Sequence, residues 1–372
     1  MPRVIVDAAA VPADRGALIR YVDGLVSALD RAGADLVVVC QRADAARYAR
    51  IAPTARIIPG PVSLTNRAAR LAWEQTGLPL LARQAGADVI HAPYYSIPLR
   101  PGMRTVATVH DVTWFTEPDK HSAVKASFFR SATRTAVRHA SRVIVPSKAT
   151  RDELVRVLSA DPTRIDVAYH GVDHDLFHPP SPDEVRRVAG RFGLHGQSYV
   201  AFLGALEPRK NVPNLIRGFA AAVKGLADPP ALVIGGGVHE DDVDAACREV
   251  RTTVKVVRPG YLRVPDLPGF LGGALVVAFP SRGEGFGLPV LESMACGAPV
   301  LTTHRTSLPE VGGDAVAYTE PDADSIAAAL AQLLAAPDRR RQLSEAGLAR
   351  AREFTWEASA EAHLSSYQRA LE

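Results

Sequence analysis

The sequence predicts an α/β chain built as two doubly wound parallel-sheet domains in tandem, and three observations lead there. Short apolar runs alternate with amphipathic segments of helical length through most of the 372 residues. The alternation pauses at His178-Pro-Pro-Ser-Pro182, where prolines can continue neither a sheet interior nor a helix, and then restarts. The length exceeds what one ordinary domain needs and suits two.

In order along the chain, the first half offers strands at Arg3–Asp7, Asp35–Cys40, Arg56–Pro59, Asp88–His91, Thr105–His110, Arg142–Pro146 and Ile165–Tyr169. Their continuous apolar character fits parallel strands covered on both faces. Gly16–Ala32 and Ser122–Ala140 read as intervening helices, which makes βαβ units. After the proline run, strands are expected at Tyr199–Gly204, Ala231–Ile234, Val254–Val257, Leu275–Phe279, Pro299–Thr303 and Ala315–Tyr318. From Asp324 onward the pattern is helical only. It ends in a long amphipathic helix, Trp356–Leu371, with Thr355 as its N-cap. The expected division is 1–180, 181–353 and a terminal helix, 354–372. Ligands of such sheets bind at the carboxyl ends of the strands, so two domains facing each other place the site in the cleft between them.

Composition narrows the function. Hydrophobic residues make up 47% and charged residues 22%, which is globular usage. A net charge of +3 is too mild to argue for nucleic acid. Cys40, Cys247 and Cys296 are far apart and odd in number, so they read as buried thiols in a reducing cytoplasm. The first residues lack a signal peptide's longer apolar region, and no apolar stretch approaches the ~20 residues of a membrane span. The expected location is cytoplasmic.

The stretch that carries chemistry is Phe279-Pro-Ser-Arg-Gly-Glu-Gly-Phe-Gly-Leu-Pro-Val-Leu-Glu292. It follows an apolar strand and opens a helix, and Pro289 suits the first helical turn. Gly285 and Gly287 permit a tight turn and a close approach to a ligand. A loop entering a helix presents N–H groups and a positive dipole end, which suit phosphate. Glu284 and Glu292 frame the turn, and a carboxylate accepts hydrogen bonds from more than one hydroxyl. Hydroxyl-binding groups on either side of a phosphate-binding turn fit a sugar–diphosphate–ribose molecule. Phe286 and Leu288 belong to the same turn.

These residues resemble the signature of the retaining glycosyltransferase family 4, whose fold is GT-B, with two Rossmann-like domains. The signature is two glutamates separated by seven residues, here Glu284-GFGLPVL-Glu292, followed by SMACGAPV and Ser307-Leu-Pro-Glu310. The resemblance covers nearly the whole chain, and it implies that the terminal helix, 354–372, with Phe354-Thr-Trp356-Glu357 at its start, crosses back to the amino-terminal domain. It implies that Glu284 contacts the transferred sugar and that Glu292 holds the ribose. Phe202-Leu-Gly-Ala-Leu-Glu-Pro-Arg-Lys-Asn211 resembles the loop that brings cations to the diphosphate, so Lys210 and Arg209 take that role. Ala205 stands where some members carry a further arginine. Thr108-Val-His110-Asp111 resembles the strand end whose histidine, His110, lies beside the transferred sugar. His91 and His170 also end strands, and His170-Gly-Val-Asp173 resembles the architectural end of the interdomain strand. Tyr261-Leu262 resembles the cradle of the nucleotide base, formed largely by backbone. In the first loop, Asp14-Arg-Gly16-Ala-Leu-Ile19, Gly16 keeps a glycine of the family's turn, but Ile19 fills a position that is often glycine.

Two other patterns are set aside. Asp173-His174-Asp175 has metal-site spacing but stands at the domain junction. Gly235-Gly-Gly237 lacks the third glycine of a dinucleotide fingerprint, since His239 and Glu240 occupy that region. No Walker lysine motif and no nucleophile elbow occurs. From Lys120 to Arg151 no acidic residue interrupts the basic ones. Arg130, Arg134 and Arg138 share a helix face, with Lys125 and Phe128-Phe129 nearby. One reading is attraction to an anionic membrane or a lipid-diphosphate acceptor; the other is a solvated basic face with inward phenylalanines.

The expected activity is transfer of a hexosyl group from a nucleotide sugar, and the resemblance implies that it proceeds with retention and without a metal. GDP-mannose is the favoured donor, with UDP-glucose and UDP-N-acetylglucosamine next. The acceptor would be a sugar, glycolipid or lipid-linked hydroxyl in envelope polysaccharide or glycolipid synthesis, and no cofactor is expected. A different GT-B enzyme, an epimerase or phosphorylase, and a non-catalytic nucleotide-sugar-binding scaffold subunit are the rival classes.

Overall fold

The computed structural model describes residues 1–10, 16–116, 122–237 and 241–372. Asp14, Arg15, Lys120, His239 and Glu240, which entered the expectations above, lie outside the described residues. Packing divides the chain into two compact units, Met1–Gly171 with Phe354–Glu372, and Val172–Glu353. The division thus falls ahead of the proline run rather than at Pro180. The prolines mark where regular structure stops, but packing decides allegiance: Phe177 is buried and Pro180 lies against Gly272 of the second unit.

Unit 1 holds β1 (Arg3–Asp7), β2 (Asp35–Cys40), β3 (Arg56–Pro59), β4 (Val89–Ala92), β5 (Arg104–Thr108), β6 (Arg142–Val145) and β7 (Ile165–Val167). They form one parallel sheet in the order β3-β2-β1-β4-β5-β6-β7. Its helices are α1 (Ala17–Arg31), α2 (Ala45–Ile51), α3 (Arg67–Gln84), α4 (Thr113–Thr116), α5 (Ala123–His139) and α6 (Lys148–Leu158). The apolar face of α1, with Tyr21, Val22, Leu25, Val26 and Leu29, packs on Val4, Val6 and Val38 of the sheet. Leu78 and Ala82 of α3 cover Ile5 and Val37 on the opposite face. Both faces of β1 and β2 are therefore dry, which is why their sequences are continuous apolar runs.

Unit 2 holds α7 (Pro182–Arg191), β8 (Tyr199–Gly204), α8 (Val212–Ala222), β9 (Ala231–Gly236), α9 (Asp241–Val250), β10 (Val256–Gly260), α10 (Leu267–Gly272) and β11 (Val276–Phe279). It continues with α11 (Leu288–Ala295), β12 (Val300–Thr303), α12 (Leu308–Gly312), β13 (Ala317–Thr319), α13 (Ala323–Ala335) and α14 (Pro337–Ala351). The sheet order is β10-β9-β8-β11-β12-β13, again parallel. β1, β2, β3 and β8 have the expected bounds, and the other strands differ at one or both ends by one to three residues. β5 stops at Thr108, so His110 stands beyond the strand; β10 runs to Gly260, so Tyr261 is the residue after it.

The last helix, α15 (Trp356–Leu371), belongs to unit 1. The Thr355 hydroxyl accepts from the Ala358 amide and starts it. Trp356 presses on α1 so closely that a Cβ on Gly24 would meet its indole at 2.2 Å. Tyr367 Oη lies 2.8 Å from His91 Nδ1, and His363 Nε2 lies 3.1 Å from Tyr21 Oη. Ser366 donates to Asp166 at 2.7 Å. Among the cysteines, Cys40 and Cys296 are buried as expected, whereas Cys247 is only half-buried; it sits on α9, whose outer face meets solvent. No helix among the described residues is long and apolar enough to cross a membrane.

Candidate functional site

In unit 2 the chemistry-bearing residues meet on two loops, each leaving the carboxyl end of a strand. The first follows β8 through the short turn Pro208–Lys210 and ends at Asn211 in the left-handed region, φ 62°. The second follows β11 and leads to α11. Asn211 Nδ2 donates to the carbonyl of Pro280 at 3.1 Å, and the Arg282 amide donates to the Arg209 carbonyl at 2.8 Å. The loops are thereby fixed to each other before any side-chain charge is considered.

Glu284 is the hub. Its Oε1 accepts from Lys210 Nζ at 2.6 Å and from Ser281 Oγ at 2.6 Å. Its Oε2 accepts from Arg209 Nη1 at 2.7 Å. Lys210 and Glu284 are 6% and 8% exposed, so this is an ion cluster in a dry setting. Burial by itself would raise the Glu284 carboxyl. The charges of Arg209 and Lys210, with the Lys210 and Ser281 hydrogen bonds, outweigh it and hold the group at about 2. Burial and the neighbouring Arg209 lower Lys210, and the Glu284 carboxylate resists that. Lys210 Nζ also lies 4.8 Å from the centre of the Phe279 ring, a cation–π contact. Arg209 is steadied at Nε by Glu207, 2.8 Å away.

The backbone of the glutamate loop is held from β12 and the turn after it. Thr303 Oγ1 donates to the Ser281 carbonyl at 2.6 Å. Thr306 Oγ1 lies 2.8 Å from both the amide nitrogen and the carbonyl oxygen of Glu284. The Glu284 amide is therefore occupied within the protein and is not one of the N–H groups the turn offers to phosphate. Ser307 Oγ stands 2.9 Å from the Glu284 carbonyl and 2.8 Å from that of Phe286. Gly287 has φ 108°, a backbone conformation that favours glycine, and a Cβ there would press on the tip of the Leu308 side chain at 2.9 Å. α11 then begins at Leu288 with Pro289 in its first turn, and Glu292, 1% exposed, sits on the following turn.

Of the residues singled out in the sequence, Lys210, Arg209 and Glu284 are in direct contact. Gly285, Phe286, Gly287, Leu288 and Glu292 continue the same loop and helix. Tyr261 and Leu262 follow β10 and part company. Tyr261 is 59% exposed, whereas Leu262 is buried under Gly235 and offers only its backbone. Ser281, Asn211 and Ser307 stood inside the quoted motifs without a role assigned to them, and Thr303 and Thr306 were not anticipated. The only trace of the last two is the hydroxyl-rich run Thr302-Thr-His-Arg-Thr-Ser307, which is not distinctive in a single sequence.

His110 belongs to unit 1. Its Nε2 lies 2.8 Å from the Pro93 carbonyl, which can only accept, so Nε2 carries the proton and Nδ1 keeps a lone pair. Burial lowers its pKa, against the Pro93 hydrogen bond and the charge of Asp111, so the ring is neutral near pH 7. Tyr21 meets it edge-on at 4.9 Å. His91 is a structural group bonded to Thr108 and Tyr367. His170 stacks on Trp356, its ring centre 6.0 Å away. Gly16 is the N-cap residue of α1, and Ile19, in the first turn of that helix, is buried in the core.

On α5, Phe129 is buried and stacks on Trp114 at 4.2 Å, and Phe128 lies under the Arg67 guanidinium at 4.8 Å. Arg130 Nε donates to the Trp114 carbonyl at 2.7 Å, and Arg134 stands over Phe115 at 5.1 Å. Arg138 and Lys125 are exposed. No group of three or more His, Cys, Asp or Glu side chains suited to a metal occurs among the described residues, Asp173 and Asp175 included.

Two parallel α/β sheets of this order, each with its candidate residues beyond strand ends, define the GT-B class of glycosyltransferases. HepE from Anabaena, solved with UDP and glucose, has the same fold, with a TM-score of 0.78 and 18% identity. That match covers 99% of this chain and all of HepE. WaaG, a glycosyltransferase of lipopolysaccharide biosynthesis, matches with a TM-score of 0.74 and 18% identity over 97% of this chain and 99% of its own. Residues 19–176 match the model of Glycosyltransferase Family 4, and residues 191–350 that of Glycosyl transferases group 1. The O-antigen chain mannosyltransferase B of Escherichia coli is 32% identical over 75% of this chain and 74% of its own length. The D-inositol 3-phosphate glycosyltransferase of Mycobacterium avium is 34% identical, and there the match spans 63% of this chain and about half of the relative, 56%. The chain belongs to the group 1, family 4 glycosyltransferases.

Proposed function

We propose that this glycosyltransferase moves a mannosyl group from GDP-mannose to an acceptor hydroxyl, with retention at the anomeric carbon and without a metal. The observation that carries the reading is the buried cluster in which Lys210, Arg209 and Ser281 hold the Glu284 carboxylate. It supplies fixed positive charge where a diphosphate would leave, so the protein's own cations take the part a metal plays elsewhere. Oε2 of Glu284 accepts from one protein donor, and a carboxylate oxygen has lone-pair capacity for a second, which a sugar hydroxyl would use. Glu292 would take the ribose hydroxyls. The Gly285–Leu288 turn would take the diphosphate. The backbone at Tyr261 and Leu262 would take the base, and Nδ1 of His110 would accept from the sugar.

A carboxylate held at about 2 is a poor base at neutral pH, which argues against Glu284 taking the acceptor's proton. That proton would instead pass to the departing phosphate oxygen as the C1–O bond to phosphate breaks and the acceptor oxygen bonds to C1 on the same face. The mannosyl assignment rests on the likeness to the E. coli mannosyltransferase and on the motifs TVHD, EPRKN and SLPE. Glucosyl or N-acetylglucosaminyl transfer from a UDP-sugar is the second reading, favoured by HepE, whose structure holds UDP and glucose. A silent scaffold subunit is the third, and the intact ion cluster weighs against it.

The test is binding and slow hydrolysis of GDP-mannose, UDP-glucose and UDP-N-acetylglucosamine, each with a chelator present. One donor should bind selectively. Glu292→Ala should weaken that binding about tenfold or more, the loss of one charged hydrogen-bond pair. Lys210→Ala should mainly slow transfer. Full activity in both variants would sink the assignment, and binding without turnover would favour the scaffold.

A further inference from the structure

Thr306 is in an unfavourable conformation. Its φ is 49°, in the left-handed region, where a β-branched residue is an outlier. Its side chain is exposed, so no demand of the core holds it there. Glycine or asparagine would adopt this backbone more readily. What Thr306 has instead is a hydroxyl 2.8 Å from the Glu284 nitrogen and 2.8 Å from the Glu284 oxygen. One hydroxyl thus accepts from the amide and donates to the carbonyl of the same residue.

Thr306 is also the one exposed member of a series of four. Thr302 Oγ1 donates to the Phe279 carbonyl at 2.8 Å, Thr303 to that of Ser281, and Ser307 shares its proton between those of Glu284 and Phe286. Four hydroxyls from one strand and its turn therefore bind the backbone of residues 279–286. Thr302, Thr303 and Ser307 are fully buried, so their loss would disturb packing as well. Thr306 can be changed without opening the core.

We propose that Thr306 is a positioning residue for Glu284, its strained backbone kept because its hydroxyl fixes the loop that aims the carboxylate at the donor sugar. The role rests on the reading of Glu284 given above. Misplacing a group at the reacting centre by a fraction of an ångström costs rate more than affinity. The Glu284 side chain would keep its ion pairs while losing its backbone register.

Thr306→Val keeps the shape and removes the hydroxyl, Thr306→Gly removes both hydroxyl and strain, and Thr306→Ser keeps the hydroxyl. Two readouts apply: hydrogen exchange at the Glu284 amide, and hydrolysis of GDP-mannose, UDP-glucose and UDP-N-acetylglucosamine. In the Val and Gly variants the Glu284 amide should exchange at least tenfold faster. Their kcat should fall roughly tenfold to a hundredfold, with KM changed by less than threefold. Thr306→Gly should melt no lower than the parent, and Thr306→Ser should restore most of both losses. Unchanged exchange in the Val variant, or faster exchange with undiminished kcat, would overturn the positioning role. A parent that hydrolyses none of the three donors would overturn the transfer reading and, with it, the aim assigned to Glu284. The exchange result would still show whether Thr306 holds the loop.

Discussion

Glu284 and Lys210 form a pair whose members do not depend on each other equally. If Lys210 is removed, the carboxylate keeps Arg209 on one oxygen and Ser281 on the other. If the carboxylate is neutralised, a buried lysine and an adjacent arginine face each other without their shared counter-charge. Breaking a buried pair from the side that leaves charge uncompensated costs about 3–5 kcal/mol. Glu284→Gln should therefore destabilise unit 2 by about that much, and Lys210→Met by clearly less. Denaturant unfolding at pH 7 checks the order; a Glu284→Gln protein as stable as the parent would contradict it. The depressed carboxyl also sets an acid limit. Its contribution is complete above about 4.5 and is lost as pH falls towards about 2, so it plays no part in changes nearer neutrality. Glu284 was singled out in the sequence because it stands among glycines after an apolar strand, and Lys210 and Arg209 only because their loop resembles the family's. Ser281 was not, because a serine there is equally good as a plain turn residue.

α15 is held to unit 1 by polar groups as much as by apolar ones. His363 faces Tyr21 from α1, His91 from β4, Tyr367 on its own helix and the carbonyl of Ser359, with the charges of His110 and Asp166 felt more weakly. Burial lowers His363 to about 4, and His91 and His170 are lowered by the same cause. Such groups bind protons in the unfolded chain before they do in the folded one, so stability is full above about 6.5 and falls as pH drops towards 4. His363 alone accounts for about 3 kcal/mol over that span. Melting followed from pH 7.5 to 5 should show a steep decline in the parent and a shallower one in His363→Gln, whose amide can still bond Tyr21. Equal slopes would remove His363 from the account. The helix itself was legible, with its Thr355 cap and long amphipathic pattern. Its seat on unit 1, which the resemblance implied, was not legible from the residues alone, since it depends on Gly24 and Trp356, which are 332 positions apart in a chain of 372. Strand ends were also hidden, because ladder pairing ends β5 at Thr108 opposite Ile144, and a sequence does not show its partner.

At the scale of the whole molecule, each unit repeats one plan. The first strand of each sheet lies inside it, and the chain winds out first one way and then the other. His110 beyond β5, Lys210 beyond β8, Tyr261 beyond β10 and Glu284 beyond β11 all stand at carboxyl ends, where such sheets bind ligands. That plan was legible because the period of the apolar runs and the residues after them carry it. The face of α5 was not, since its arginines suit a lipid surface and plain solvent alike. The structure separates them by their partners. Arg130 is tied to the Trp114 carbonyl, so reversing it would test folding rather than binding. Lys125 and Arg138 are exposed, and Arg134 is exposed above the Phe115 ring. A basic residue near an anionic surface contributes about 1 kcal/mol. Losing three should weaken adsorption by about a hundredfold at low salt. The full chain should sediment with phosphatidylglycerol vesicles, not with phosphatidylcholine, and release as ionic strength rises. Lys125→Glu, Arg134→Glu and Arg138→Glu combined should abolish sedimentation while leaving nucleotide-sugar binding by unit 2 intact. Equal sedimentation of parent and variant, or none by the parent, would make this face an ordinary solvated one, and the acceptor would then have to be reached without help from a membrane.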